Sequence, residues 1–207
     1  MALKGYTTKQ QIENYILQDI DSSYDTQVNT WIEAMEKEID NITGRNFIAD
    51  TEATARLYDG DEEFNLLIDD CVEIETVEVG GDSYGGSFST ISASGSNRYF
   101  LEPTNYTVKN VPITEVVLNS QYWTRGKQNN RITAKWGFSV AVPADIQFAC
   151  TIFVVGILNQ SRVGGDQIKS EKIGNYAVTY NTDNNEDSFA DFKKAMETLQ
   201  SYAKLYI

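Results

Sequence analysis

The segment that most restricts how this chain can fold begins at Pro143. From there Ile146, Phe148, Ala149, Ile152, Phe153, Val154, Val155, Ile157 and Leu158 follow with almost no polar face between them. Proline is favoured in the first turn of a helix, where its missing N–H costs nothing. The run therefore predicts a helix over residues 143–160. A helix that is apolar nearly all round must be covered on most of its sides. Either it is the central element of its own domain, or it is shared with a subunit beside it. Crossing a bilayer needs about 20 apolar residues. The run from Ile146 to Leu158 is shorter than that and is interrupted by Gln147 and Thr151, so no membrane span is expected.

Helical periodicity also marks both ends of the chain. Thr8 with Gln11 reads as a capping box. Ile12, Tyr15, Ile16 and Ile20 follow on one face, and after a break at residues 21–24 a second helix places Val28, Trp31, Ile32, Met35, Ile39 and Ile42 together. Gly44 is suited to end it in the left-handed region that glycine adopts cheaply. A helical hairpin over residues 8–44 results, whose apolar face packs on its own domain or on a neighbouring copy. Near the C-terminus Ser188 is expected to cap a helix over 188–205, with Phe189, Phe192, Met196, Leu199, Ala203 and Tyr206 on its apolar face. Trp31, Trp136 and Phe153 are expected in the core.

Between these helices the period changes to two. Strands are expected at Ala55–Tyr58, Phe64–Ile68, Val72–Val79, Arg98–Leu101, Thr107–Val111, Glu115–Leu118 and Asn130–Trp136, all within a strand region 55–138. Asp59-Gly60-Asp61 reads as the turn between the first two. The Gly- and Ser-rich stretch 80–97 reads as a long excursion from the sheet. Residues 161–174 read as a polar loop and 175–181 as a strand. The fold class is α+β: helices packed with a small, mainly antiparallel sheet. With 207 residues, 41% of them hydrophobic, and no repeat or linker, one domain over 1–207 is expected.

The chain has no histidine and two cysteines. Without histidine, Ser-His-Asp and Cys-His catalysis, His-ligated metals and His-based pH switching are all ruled out. Cys71 and Cys150 are expected as buried, reduced thiols, with a Cys71–Cys150 disulfide as the alternative. The acidic group Asp59, Asp61, Glu62, Glu63, Asp69 and Asp70 lacks the spacing of a calcium loop and reads as a solvated hairpin turn. No P-loop, dinucleotide fingerprint or nucleophile elbow occurs. No enzyme activity, cofactor or metal is expected. The net charge of −13 opposes binding to a phosphate backbone. Basic residues fall into two groups: Arg125, Lys127, Arg131 and Lys135, then Arg162, Lys169 and Lys172. They are either ordinary surface charge or local patches for an acidic partner or DNA. The start Met-Ala-Leu-Lys-Gly lacks a signal-peptide core, so an unsecreted, soluble protein is expected.

Several short motifs recur in a particular order. Tyr58-Asp59-Gly60 and Leu66-Leu67-Ile68-Asp69-Asp70 precede a strand reading Val-Glu-Ile-Glu-Thr-Val-Glu-Val from Val72. Trp123-Thr-Arg-Gly126 and Asn130-Arg-Ile-Thr-Ala-Lys-Trp-Gly137 come next, then Val142-Pro-Ala-Asp-Ile146 and Ile168-Lys-Ser-Glu-Lys-Ile-Gly-Asn-Tyr176. This ordered set resembles the head–tail connector proteins (adaptor, or head-completion, proteins) of tailed bacteriophages. The resemblance spans roughly Gln10 to Tyr206, and the insert at 80–97 departs from the compact pattern.

The resemblance implies a non-enzymatic virion protein at the head–tail junction, assembled in the host cytoplasm. It implies a homo-oligomeric ring, a dodecamer, that meets the portal on one side and the stopper or tail protein on the other. Genomic double-stranded DNA would pass through its acidic channel without specific binding. Lys169, Ser170, Glu171, Lys172, Ile173, Gly174 and Tyr176 are the residues expected at partner or channel contacts. Two alternatives stand beside it: another virion ring, such as a tail terminator, and a non-viral β-rich binding domain using Tyr84, Phe88, Tyr99 and Tyr122.

Overall fold

The computed structural model of the chain describes residues 3–81, 87–162, 169–173, 176–180 and 186–204. The fold is α+β, and the described residues form five α-helices and a mainly antiparallel six-stranded sheet. Its backbone divides into two compact units, one formed by Met1–Arg45 with Val142–Ile207 and the other by Asn46–Ala141.

The first unit is helical. Helix α1 (Lys9–Ile16) starts from Thr8, whose side chain accepts the backbone N–H of Gln11, as the capping motif requires. It ends at Leu17, which sits in the left-handed region with φ 54°. Helix α2 (Asp25–Thr43) ends at Gly44 with φ 66°, the glycine stop that the sequence indicates. Helix α4 (Ala144–Arg162) packs against α1, α2 and α5 (Glu186–Tyr202). Ile146, Ala149, Cys150, Phe153, Val154 and Leu158 are buried along it, so most of its apolar circumference is covered within its own chain, while Phe148 stays 39% exposed. The Phe153 and Phe192 rings meet edge to face at 5.3 Å. A buried hydroxyl pair, Thr7 with Thr151 at 2.7 Å, satisfies the polar residue that interrupts the apolar run. The C-terminal helix runs from Glu186 to Tyr202, so Ser188 lies inside it and is not its cap.

The second unit is the sheet, ordered β1-β6-β2-β5-β4, with β3 joining β2. Its strands are β1 (Thr54–Gly60), β2 (Asn65–Gly80), β3 (Phe88–Ile91), β4 (Tyr99–Glu102), β5 (Ile113–Leu118) and β6 (Gly126–Trp136). The expected strands 64–68 and 72–79 are one sixteen-residue strand. Asp69-Asp70 does not break it, because the register shifts there as at a bulge and the Asp70 carbonyl accepts the N–H of Gly137. β6 takes one edge of β2, while β5 and β3 share the other in succession. Part of the Gly/Ser-rich stretch is therefore sheet. Where a strand was expected at 107–111 there is one helical turn, α3 (Tyr106–Lys109), between Asn105 and Asn110. Both asparagines have positive φ, which ends extended backbone on either side.

Val77, Val116, Leu118, Trp123, Ile132 and Trp136 form the core of one face of the sheet. Both buried indoles find acceptors: Trp123 donates to the Val116 carbonyl and Trp136 to that of Thr54. Gly137, with φ 140°, has the Ile48–Ala49 backbone 2.5 Å from where a Cβ would lie. Trp136 and Phe153 are core residues as expected; Trp31 is half-buried.

Candidate functional site

The first candidate is the segment named from the sequence. Lys169, Ser170, Glu171, Lys172 and Ile173 are not loop but strand β7 (Lys169–Ile173), antiparallel to β8 (Tyr176–Tyr180). Lys169 pairs with Tyr180, Lys172 with Ala177 and Ile173 with Tyr176 in a separate two-stranded sheet. The expected loop 161–174 is thus corrected: α4 extends through Arg162, and a strand occupies its last third. Gly174-Asn175 is, in the sequence, a two-residue hairpin signal. Gly174 itself, and residues 163–168, lie outside the described residues.

The second candidate, the basic group on β6, is brought together but neutralised. Arg131 grips Glu78 on β2 through two bonds of 2.7 and 2.8 Å and lies 4.2 Å from the centre of the Phe88 ring. Lys135 reaches Glu73 at 2.7 Å, and Lys127 reaches Asp59 at 2.6 Å. Arg125 lies 3.8 Å from Glu62. On β1, Arg56 pairs with Asp69 at 2.6 Å and covers the Trp136 ring at 4.4 Å. The causes are register and pleat: Glu78 lies directly opposite Arg131, and Glu73 opposite Lys135. Arg131 holds the Glu78 carboxyl below its usual range. Lys127, with the backbone N–H of Gln128, does the same for Asp59. These cations serve the sheet and do not form an open patch for DNA or an acidic partner.

Most of the acidic group is accounted for by the same bonds. Asp59, Glu62 and Asp69 pair with Lys127, Arg125 and Arg56, and Asp70 is buried. Among the described residues no group of three or more Cys, Asp or Glu is placed to hold a metal ion. No helix among them is long and apolar enough to cross a membrane. Both cysteines are free and buried. Burial pushes the Cys71 thiol up to about 12, and that of Cys150 well above its ordinary value.

Aromatic residues that could form a β-domain binding surface are dispersed. Tyr99 and Phe88 are half-buried, Tyr122 is exposed, and Tyr84 lies outside the described residues.

The polar centre of the helical unit was not anticipated. Glu36 on α2 is 2% exposed and accepts three successive backbone N–H groups. Those of Gly5 and Tyr6 donate at 2.7 and 2.9 Å to one oxygen, and that of Lys4 at 2.8 Å to the other. Asp40, one turn on, takes the Tyr6 hydroxyl at 2.5 Å and the Lys4 ammonium. The signal was available: Glu36 falls among the apolar positions of α2, where an unpaired carboxylate would be costly. At the other end of the unit, Arg45 donates to the Tyr202 carbonyl at 2.6 Å and Lys204 N–H to that of Thr43 at 2.8 Å. Tyr15 and Tyr202 donate to Asp191 and Asp145. Burial first, and then these carboxylates, push both phenols up to about 12.

No family model matches this chain, and neither does any curated protein. Among solved structures, it is similar to a chain from the neck of an empty GTA particle, in a structure computed with C6 symmetry. The TM-score is 0.57 at 10% identity, covering 100% of this chain and 94% of that one. It is also similar to a chain from the neck of a native GTA particle computed with C12 symmetry. There the TM-score is 0.53 at 10% identity, with the same coverage of 100% and 94%. At this identity the likeness is one of fold, and it takes in both units.

Proposed function

We propose that this chain is a structural subunit of a phage-like neck: the adaptor ring that joins the portal to the stopper or tail and extends the channel for DNA. The observation that carries the reading is the shared fold. A full-length match that includes the helical unit and the sheet unit links the chain to proteins solved in particle necks. The order of short motifs in the sequence points the same way. In this reading the chain forms a closed homo-oligomer of twelve copies at the head–tail junction, assembled in the host cytoplasm, and is not an enzyme.

Its chemistry suits a passive conduit. A net charge of −13 repels the DNA backbone, and the basic residues of β6 are held by carboxylates and do not face solvent as a binding patch. DNA passes through without being held. The hairpin β7–β8, with Lys169 and Lys172, is the segment assigned to partner or channel contact. The whole chain acts as a single connector subunit, and the stretch 80–97 lengthens the sheet side through β3.

The test is to incubate the purified protein with tailless, portal-bearing heads and image the vertex by electron microscopy. A ring of added density beneath the portal is expected. A bare portal, where an established adaptor binds, would refute the assignment; density on isolated tail tubes would move the chain to a tail-side ring.

A further inference from the structure

Asp59, Asp69, Glu73 and Glu78 of the sheet are matched with cations across the strands, whereas Glu75, Glu102 and Glu115 have no ion-pair partner among the described residues. Beside the β2–β5 pair lies a groove of about 580 Å³ whose lining includes Asp59, which Lys127 holds, together with Asp61, Glu63, Glu115, Phe64 and Leu67. Of these carboxylates, Asp61, Glu63 and Glu115 have no ion-pair partner among the described residues. Leu67, the third residue of β2, is 75% exposed, and the Phe64 ring lies tilted against the exposed Tyr122 ring with centres 4.3 Å apart.

Register makes the arrangement costlier. Leu67 is paired with Glu115, and Glu115 with Glu102 on β4, so two carboxylates stand opposite each other beside an uncovered leucine. Like charges directly opposed across strands are destabilising, and an apolar side chain standing in water beside them gains nothing from burial. Both costs are relieved by one kind of occupant. It would bring an apolar side chain to Leu67 and Phe64 and a cation to Glu63 and Glu115.

From this complementarity we infer that the groove is a docking site for a protein segment in which lysine or arginine flanks an apolar side chain. Bare DNA is repelled by the carboxylates. A small cation would meet separated carboxylates and leave the apolar side chains uncovered. The partner is therefore a basic, apolar peptide strand or loop of another protein.

The experiment titrates the isotope-labelled full chain with a nine-residue peptide alternating lysine and leucine, and with its lysine–alanine counterpart, followed by NMR. Shifts confined to residues 61–67 and 113–118 are expected, with at least tenfold weaker binding of the alanine peptide. Leu67→Ser, and separately Glu63→Gln with Glu115→Gln, should each weaken the leucine peptide at least tenfold while circular dichroism stays unchanged. Equal binding of both peptides, or shifts scattered over the acidic surface, would mean general charge attraction and would overturn the inference, as would absence of binding. Sedimentation of the unliganded chain provides a further arm. Self-association lost in Leu67→Ser would make a second copy the occupant and overturn it too.

Discussion

Removing the Glu36 carboxylate should loosen the start of the chain by an amount that can be worked out bond by bond. Glu36 is almost fully buried and accepts the N–H groups of Lys4, Gly5 and Tyr6. A hydrogen bond to a charged group contributes about 1.5–3 kcal/mol, and a buried donor left unpaired costs about 1–3 kcal/mol. The Lys4 and Gly5 groups are part-buried, so water can replace the carboxylate there; the Tyr6 N–H is buried and stays unpaired. Glu36→Ala should therefore cost about 3–5 kcal/mol. Glu36→Gln keeps an oxygen for Gly5 and Tyr6 but turns an NH2 towards Lys4 N–H, so about 2 kcal/mol is expected. Urea unfolding followed by helical circular dichroism reports the helical unit. With a slope near 2 kcal/mol per molar, the alanine variant should unfold about 2 M earlier. Amide exchange at residues 4–6 should accelerate in both variants. An alanine variant within 1 kcal/mol of the parent would refute the account, and so would glutamine and alanine variants of equal stability.

Other perturbations have equally defined outcomes. Phe153→Ala removes a buried ring that packs on Phe192 and should cost about 3–5 kcal/mol by thermal or urea unfolding. Gly137→Ala puts a Cβ 2.5 Å from the Ile48–Ala49 backbone at a φ of 140°, and should lower expression or stability well beyond the ~1 kcal/mol of a typical substitution. Raised thiol and phenol pKa values mean that the unfolded chain loses protons first. Their contribution to stability should be constant below pH 9.0, the ordinary thiol value, and fall as pH rises towards about 12 for Cys71, Tyr15 and Tyr202. A thiol reagent at pH 8 should label Cys71 and Cys150 in urea and leave both unlabelled in the native protein. Arg131→Ala should lower the urea midpoint only slightly, since the pair with Glu78 is partly exposed, and the loss should shrink at high salt.

Much of the architecture is legible wherever one periodicity runs without interruption. The apolar run after Pro143, the Thr8 cap and the Gly44 stop each carry their own signal, and each element lies where the signal points. Reading weakened where local chemistry and tertiary pairing disagree. Asp69-Asp70 looks like a turn, yet β5 and β6 hold the strand extended through a bulge. Residues 107–111 alternate like a strand, yet two left-handed asparagines curl them into a helical turn. The candidate contacts were harder. Lys169–Ile173 looks polar and loop-like because a two-stranded ribbon needs little apolar signature; its partner strand decides it. The basic residues of β6 could be listed from the sequence. That Arg131 and Lys135 stand opposite Glu78 and Glu73 depends on strand register, which spacing along one strand does not reveal.

The helical unit is built from the two ends of the chain, with the sheet unit inserted between Arg45 and Val142. A ribosome therefore delivers every residue of the sheet before it delivers α4. Thr151 meets Thr7 across 144 positions of sequence, while every strand pairing in β1–β6 closes within residues 54–136. Loop-closure entropy favours the nearer contacts, so the sheet can form while α1 and α2 still lack the helix that covers them. Until translation passes Leu158, the apolar faces of Ile12, Ile32 and Met35 stay open to water. The newly made chain is thus most exposed to wrong partners just before α4 emerges, and anything that stalls synthesis there releases a folded sheet carrying an unfinished, adhesive helical half.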